Sequence, residues 1–248
     1  ATQGRSSAPS YVYKRQQDAY GPVPSRRLGK SLGINNIPAK ICTYACAYFQ
    51  VGKTDKMPVE RQAFYKPEDI FRNVKYLLDN ARHKGEQVDF LTFVPDGEPT
   101  LDINLGREIS MLKTLGVPVG VITNSSLIWR SDVREELNKA DWVSLKIDMV
   151  DEAIWRRINR PNRSLDLQKI LDGILQFARH YQGQLVTETM LIRDHNSSQA
   201  HIDRLVEFIA QLPDITAYPV SYTHLRAHET PEHLVCRLLL EKKNTFPL

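Results

Sequence analysis

Residues 88–124 read VDFLTFVPDGEPTLDINLGREISMLKTLGVPVGVITN. The run 88–94 is short, β-branched and aromatic, which predicts a strand. Helical spacing follows over 105–115 and is closed by Gly116, a residue suited to the left-handed turn after a helix. Residues 117–123 then read as a second buried strand. Strand, helix and strand with short connections make a parallel βαβ unit with its helix outside the sheet.

The same alternation extends in both directions. Upstream, Pro67 opens a helix to about His83, with Ile70, Val74, Leu77, Leu78 and Ala81 on one stripe, and 31–35 is a short strand. Downstream, Ser131 reads as the cap of a helix over 131–139, and 142–147 is the next strand. A helix over 165–181 is the clearest, with Leu167, Ile170, Leu171, Ile174, Leu175 and Ala178 at helical spacing. A strand over 184–192, a helix over 201–212 and the start of a strand at 215–220 complete the pattern. About six such units fit a doubly wound sheet or a partial (β/α)6 TIM-like barrel, in both of which chemistry gathers at the C-terminal ends of strands.

The ends read differently. Residues 220–230 (VSYTHLRAHET) and 234–243 (LVCRLLLEKK) resemble the translation of a transposase-type sequencing adapter, and 6–16 (SSAPSYVYKRQ) that of the opposite adapter. Residues 1–16 and 220–248 are therefore expected to be foreign, 17–219 to be the core domain, and the barrel to be cut short at its C-terminal end. The chain of 248 residues has 33 Lys+Arg against 29 Asp+Glu. The two ends hold seven of those basic and three of those acidic residues, so 26 of each remain between them. A neutral body gives no charge argument for nucleic acid, and DNA is not expected as a partner. No apolar run approaches the ~20 residues of a membrane span. With Cys236 inside the adapter match, two cysteines remain, which suits a reducing, cytoplasmic setting.

The loops after the strands carry the chemistry-bearing residues. After the first comes Cys42-Thr-Tyr-Ala-Cys46-Ala-Tyr48-Phe49, where two thiols four positions apart are either ligands of a soft metal centre or a structural pair. After the second comes Asp96-Gly97-Glu98-Pro99-Thr100, after the third Thr123-Asn124, and the fourth strand reads Ser144-Leu-Lys146-Ile-Asp148. Ser144, Lys146 and Asp148 alternate, so they share a side. Each has a plainer role: Glu98 as a helix cap or a partner of Lys146, and Lys146–Asp148 as a buried ion pair. Arg26, Arg27, Arg157, Arg160 and Arg163 are either solvated charge or a phosphate-recognising set. His83, His180, His195 and His201 show no ligand spacing and read as structural.

Taken in strand order, these motifs resemble the radical S-adenosylmethionine (SAM) enzymes. The segment CTYACAYFQ is similar to their C-x3-C-x2-C loop with Phe49 at the third cysteine, and Asp96-Gly97-Glu98 to their Gly-Gly-Glu motif. Arg157 and Arg160-Pro161-Asn162 resemble the wyosine-synthetase-like subfamily. The resemblance implies a [4Fe–4S] cluster on Cys42, Cys46 and the third position, with SAM on its open iron. It also implies reductive cleavage of SAM to methionine and a 5′-deoxyadenosyl radical. It brings in Gly97 and Glu98 at the SAM amino group, Tyr48 near the adenine, and Thr123, Asn124, Ser144 and Asp148 as further cofactor contacts. Lys146 is the candidate catalytic residue. A flavodoxin or ferredoxin is the implied reductant, and tRNA is one substrate class. A phenyl ring cannot ligate iron. Phe49 therefore marks a single-base change, a degenerate homologue that binds SAM or a partner without a cluster, or a site with a replacement ligand.

Overall fold

The computed structural model describes residues 18–48 and 54–222. Seven strands form one sheet in sequence order: β1 (Ala19–Ser25), β2 (Gly29–Ile34), β3 (Phe90–Phe93), β4 (Val119–Thr123), β5 (Trp142–Lys146), β6 (Gln184–Ile192) and β7 (Thr216–Tyr222). From β2 to β7 every pairing is parallel, and β1 pairs antiparallel with β2. The architecture is α/β, a TIM-like sheet that stays open among the described residues, where β1 and β7 each have one partner strand.

Among the described residues six α-helices connect the strands: α1 (Pro67–His83), α2 (Leu105–Lys113), α3 (Ser131–Leu137), α4 (Glu152–Ile158), α5 (Leu167–His180) and α6 (Gln199–Ile209). α1 starts on Pro67, whose missing N–H costs nothing in a first turn, with Glu68 and Asp69 at its positive end. Asp151, Asp166 and Ser198 cap α4, α5 and α6 by accepting from the N–H three residues on. Ser131 does not act as the expected cap. It is the first helical residue of α3, preceded by Arg130, and Asp132 in that first turn binds the Arg130 guanidinium.

Strand parity separates two faces. Leu91, Phe93, Val119, Val121, Val143 and Leu145 pack on the helices in the main core. Phe90, Ile122, Trp142, Val186 and Tyr218 point the other way and enclose Leu28. Leu28 belongs to the β1–β2 turn, at the N-terminal end of the parallel strands, so the hairpin floors the concave face.

This hairpin was not expected from the sequence, because Pro22 and Pro24 argue against a strand; an edge position tolerates them. α4 was likewise not expected. β7 pairs with β6 through Tyr222, opposite Ile192, and so runs three residues past the 219 boundary drawn from the adapter match. Residues 1–16 and 223–248, and Phe49, lie outside the described residues.

Candidate functional site

The concave face opens at the C-terminal ends of the strands into a cavity of about 470 Å3. Cys42, Cys46 and Tyr48 come to it from the β2 loop, Gly97 from the β3 loop, Asn124 from the end of β4, and Ser144 and Lys146 from β5. β6 adds Glu188 and Met190, neither of which was singled out in the sequence.

The cysteine loop is held by backbone bonds to the end of α4 and the segment that follows it. Ala47 N–H donates to the Ile158 carbonyl at 2.8 Å, Asn162 N–H to the Thr43 carbonyl at 2.9 Å, and Tyr44 bridges Pro161. Cys42, Tyr44, Cys46 and Tyr48 line the cavity, and Ala45 faces the outer side of the loop. Each sulfur receives one amide hydrogen bond: Asn124 Nδ2 donates to Cys42 Sγ at 3.3 Å, and Asn159 Nδ2 to Cys46 Sγ at 3.4 Å. Burial, aided by the Glu98 carboxylate, pushes the Cys42 thiol up to about 12. Burial likewise raises Cys46, against the opposing bond from Asn159.

Gly97 is required by its own chain. A Cβ there would stand 2.1 Å from the Ile41 carbonyl oxygen, which accepts from Glu98 N–H at 3.1 Å. The close approach therefore joins the motif turn to the residue before Cys42. Glu98 itself is fully buried and does not pair with Lys146. Its Oε1 accepts from the Thr100 and Thr123 hydroxyls, each at 2.6 Å, and from Thr100 N–H at 3.1 Å; Oε2 accepts from Asn124 N–H at 2.7 Å. The carboxylate is thus a cap and a staple between the β3 and β4 loops, and burial raises it above the usual range despite four donors.

Lys146 points into the cavity over the Tyr48 ring, 5.2 Å from its centroid. Its ammonium lies 3.6 Å from Asp148 Oδ1 and 3.5 Å from Glu188 Oε1. The two carboxylates outweigh burial and keep it charged. Arg27 of the β1–β2 turn reaches Glu188 Oε2 at 2.6 Å and stacks over Tyr218, so it is engaged within the protein rather than solvated charge. Asp148 shares the strand parity of Ser144 and Lys146 but lies beyond the end of β5, and it is buried beneath Tyr48 rather than lining the main cavity. Its oxygens accept from the Tyr48 hydroxyl (2.5 Å), Asn159 Nδ2 (3.0 Å) and Met190 N–H (2.7 Å). Asn159, missed in the sequence, thereby links Cys46, Tyr48 and Asp148. His201 is buried with Nε2 at 3.2 Å from the Asp148 carbonyl, a structural place as expected.

Residues 36–209 match the radical SAM superfamily. The chain belongs to that superfamily. It is 53% identical over 194 residues to a UPF0026 protein of Methanocaldococcus jannaschii, covering 78% of this chain and 60% of that protein. To a UPF0026 protein of Helicobacter pylori it is 36% identical over 197 residues, covering 78% of this chain and 62% of that one. The chain therefore spans about three fifths of the length of these relatives. A solved structure of TYW1 with a lysine–pyruvate adduct shares its fold, with TM-score 0.64 and 18% identity over 85% of this chain and 73% of the other.

Two cofactors follow from radical SAM membership, and the residues suit them unequally. The cavity suits SAM. Ser144 Oγ is buried, faces the cavity and has no hydrogen-bond partner, an orphan that a ligand hydroxyl would satisfy. Ile122, Val94 and Met190 supply apolar wall, and Lys40 and Thr54 stand on the loop beside Cys42. The radical SAM cluster is not matched. Its loop asks for three thiolates, the site presents Cys42 and Cys46, and position 49 is a phenylalanine. Among the described residues no three His, Cys, Asp or Glu side chains are grouped to hold a metal.

Proposed function

We propose that this chain carries the SAM site of a radical enzyme, with its thiolate set incomplete at Phe49. The observation that carries this reading is the convergence of Cys42, Cys46, Asn124, Ser144 and Lys146 on one cavity at the C-terminal strand ends. In this reading Ser144 takes a ribose hydroxyl of SAM, the backbone at Gly97 meets its amino group, and Tyr48 lies against the adenine. Thr123 and Asn124 act through the wall they build with Glu98. Lys146 faces the ligand as a fixed positive charge; two carboxylates hold its proton, which disfavours a nucleophilic amine.

The test compares the wild type with Phe49→Cys after anaerobic incubation with iron and sulfide. Both are expected to bind SAM by calorimetry. Only Phe49→Cys is expected to hold close to a full complement of iron and, with dithionite or a flavodoxin or ferredoxin as reductant, to release 5′-deoxyadenosine. Absence of SAM binding in both overturns the reading. Cluster assembly and SAM cleavage in the wild type overturn the incompleteness at position 49.

A tRNA substrate is a second reading, favoured by one feature. Arg156, Arg160, Arg163 and Asn162 line a groove of about 570 Å3 on the outer side of the cysteine loop, beside Ala45. Loss of tRNA retention on a filter in Arg160→Ser/Arg163→Ser, at fixed salt, supports it; equal retention removes it.

A further inference from the structure

A second polar cluster is sealed beneath the turn that carries Gly97 and Glu98. Glu108 of α2 is 1% exposed, and neither carboxyl oxygen has a hydrogen-bond partner. Beside it Asp102, also fully buried, leaves Oδ2 unpartnered, and Asn36, from the segment between β2 and Cys42, leaves Oδ1 unpartnered. The Asn36 amide lies against the Glu108 carboxyl. Among the described residues, the charged groups facing this cluster are Arg61, Glu136 of α3 and, through Glu136, Asp132 and Lys139. Arg61 is already engaged: it binds Asp132 at 2.8 Å, Glu136, and the carbonyls of Thr100 at 2.8 Å and Asp102 at 2.6 Å.

Two buried carboxylates with no cation to spare cannot both stay ionised, and an ionised Glu108 would leave three residues with unmet polar atoms. One proton removes the conflict by turning an acceptor into a donor. We propose that Glu108 is a positioning residue for the cavity: as the neutral acid it shares one proton with Asp102, the Asn36 amide completing the set, and so fixes the Gly97–Glu98 turn against the run-in to Cys42. Burial first, then the neighbouring Asp102, pushes Glu108 up to about 9, consistent with that proton at neutral pH. The link to the cavity is short. Asn36 Nδ2 donates to the Pro99 carbonyl at 3.2 Å, and Asp102 Oδ1 accepts from Asn104 N–H at 2.8 Å. The held turn then carries the Glu98 N–H to Ile41 carbonyl bond, one residue from Cys42.

The effect on ligand binding rests on the SAM reading; the proton does not, and the test separates them. Thermal unfolding of the wild type and Glu108→Gln is followed from pH 6 to 9.5, with the infrared carboxylic-acid C=O band recorded for each. Because the folded acid holds its proton and the unfolded one has lost it, wild-type stability falls with pH over this range relative to Glu108→Gln, whose amide supplies the donor without titrating. A C=O band present in the wild type and absent in Glu108→Gln is expected. A constant difference in Tm together with no such band overturns the buried proton. SAM affinity by calorimetry is expected to fall about tenfold per pH unit above 9 in the wild type and to stay level in Glu108→Gln. Parallel loss in both overturns the positioning role. No SAM binding at any pH sinks the SAM reading and leaves the unfolding and infrared results to judge the proton.

Discussion

Tyr48 donates its hydroxyl to Asp148 Oδ2 at 2.5 Å, joining the end of the cysteine loop to the exit of β5 across 100 residues of sequence. Asn159 braces the same pair, at 3.1 Å from the Tyr48 oxygen and 3.0 Å from Asp148 Oδ2. Tyr48→Phe keeps the ring over Lys146 and removes only the donor. It should cost about 1–3 kcal/mol in urea unfolding, the range for losing a hydrogen bond to a buried charged group. Hydrogen exchange at Ala47, whose N–H binds the Ile158 carbonyl, should quicken; unchanged exchange there would mean the loop does not depend on this bond.

Lys146 is the cation between Asp148 and Glu188, so Lys146→Met leaves two carboxylates facing each other with only Arg27 on the far side of Glu188. Breaking a buried pair from one side costs about 3–5 kcal/mol, and a chemical denaturation curve should show a loss of that order. The double variant Lys146→Met/Glu188→Gln should recover part of it. A double variant no more stable than the single would place the cost in packing rather than charge.

Gly97→Ala forces a Cβ to 2.1 Å from the Ile41 carbonyl oxygen, which is backbone and cannot step aside. A loss of about 1–3 kcal/mol is expected from overpacking, with weaker SAM binding because Cys42 is the next residue along. Unchanged Tm and unchanged affinity would contradict the packing described for this turn.

Cys42 offers a pH test. With its thiol pushed up to about 12 against an ordinary 9.0, the folded chain at pH 8 holds about a thousandfold less thiolate at this position than the unfolded chain. Alkylation by iodoacetamide, read by mass spectrometry of the Cys42 peptide, should be slower by that order and should rise about tenfold per pH unit up to pH 11. The sign for stability follows: the folded value lies above the unfolded one, so this contribution is complete below pH 9 and is lost as pH rises toward 12. Equal labelling of folded and urea-unfolded chain would show that the thiol is not buried.

The parallel strands and most of the helices were legible because each buries one face against the other layer, and that leaves a period of 2 or 3.6 in the sequence. The cavity was legible where a strand hands over to a loop, as at Cys42, Gly97 and Asn124, and along β5, where Ser144 and Lys146 alternate onto one side. Glu188 was not, because a lone acid between Val186 and Met190 on one side of β6 gives no sign of its partners; Lys146 and Arg27, which meet it, lie 42 and 161 residues away in sequence. Asp148 shows the limit of period-2 reasoning: two residues past the end of β5, the backbone turns its side chain under Tyr48. Glu98 and Asn159 illustrate a different loss, since hydrogen bonds spanning 25 to 113 residues carry no local signal. Pro22 and Pro24 hid β1, an edge strand where a missing N–H leaves no gap in the sheet.

The hairpin floor has a consequence for the order in which the protein can assemble. Arg27 belongs to the β1–β2 turn, early among the described residues, yet its partners Glu188 and Tyr218 are 161 and 191 residues further on. During synthesis the early strands can pair as they emerge, but the concave face stays open to water at its base until β6 and β7 have been made. Contacts of such separation are late and slow to form. The interior that would receive a ligand is therefore among the last parts of this protein to become dry.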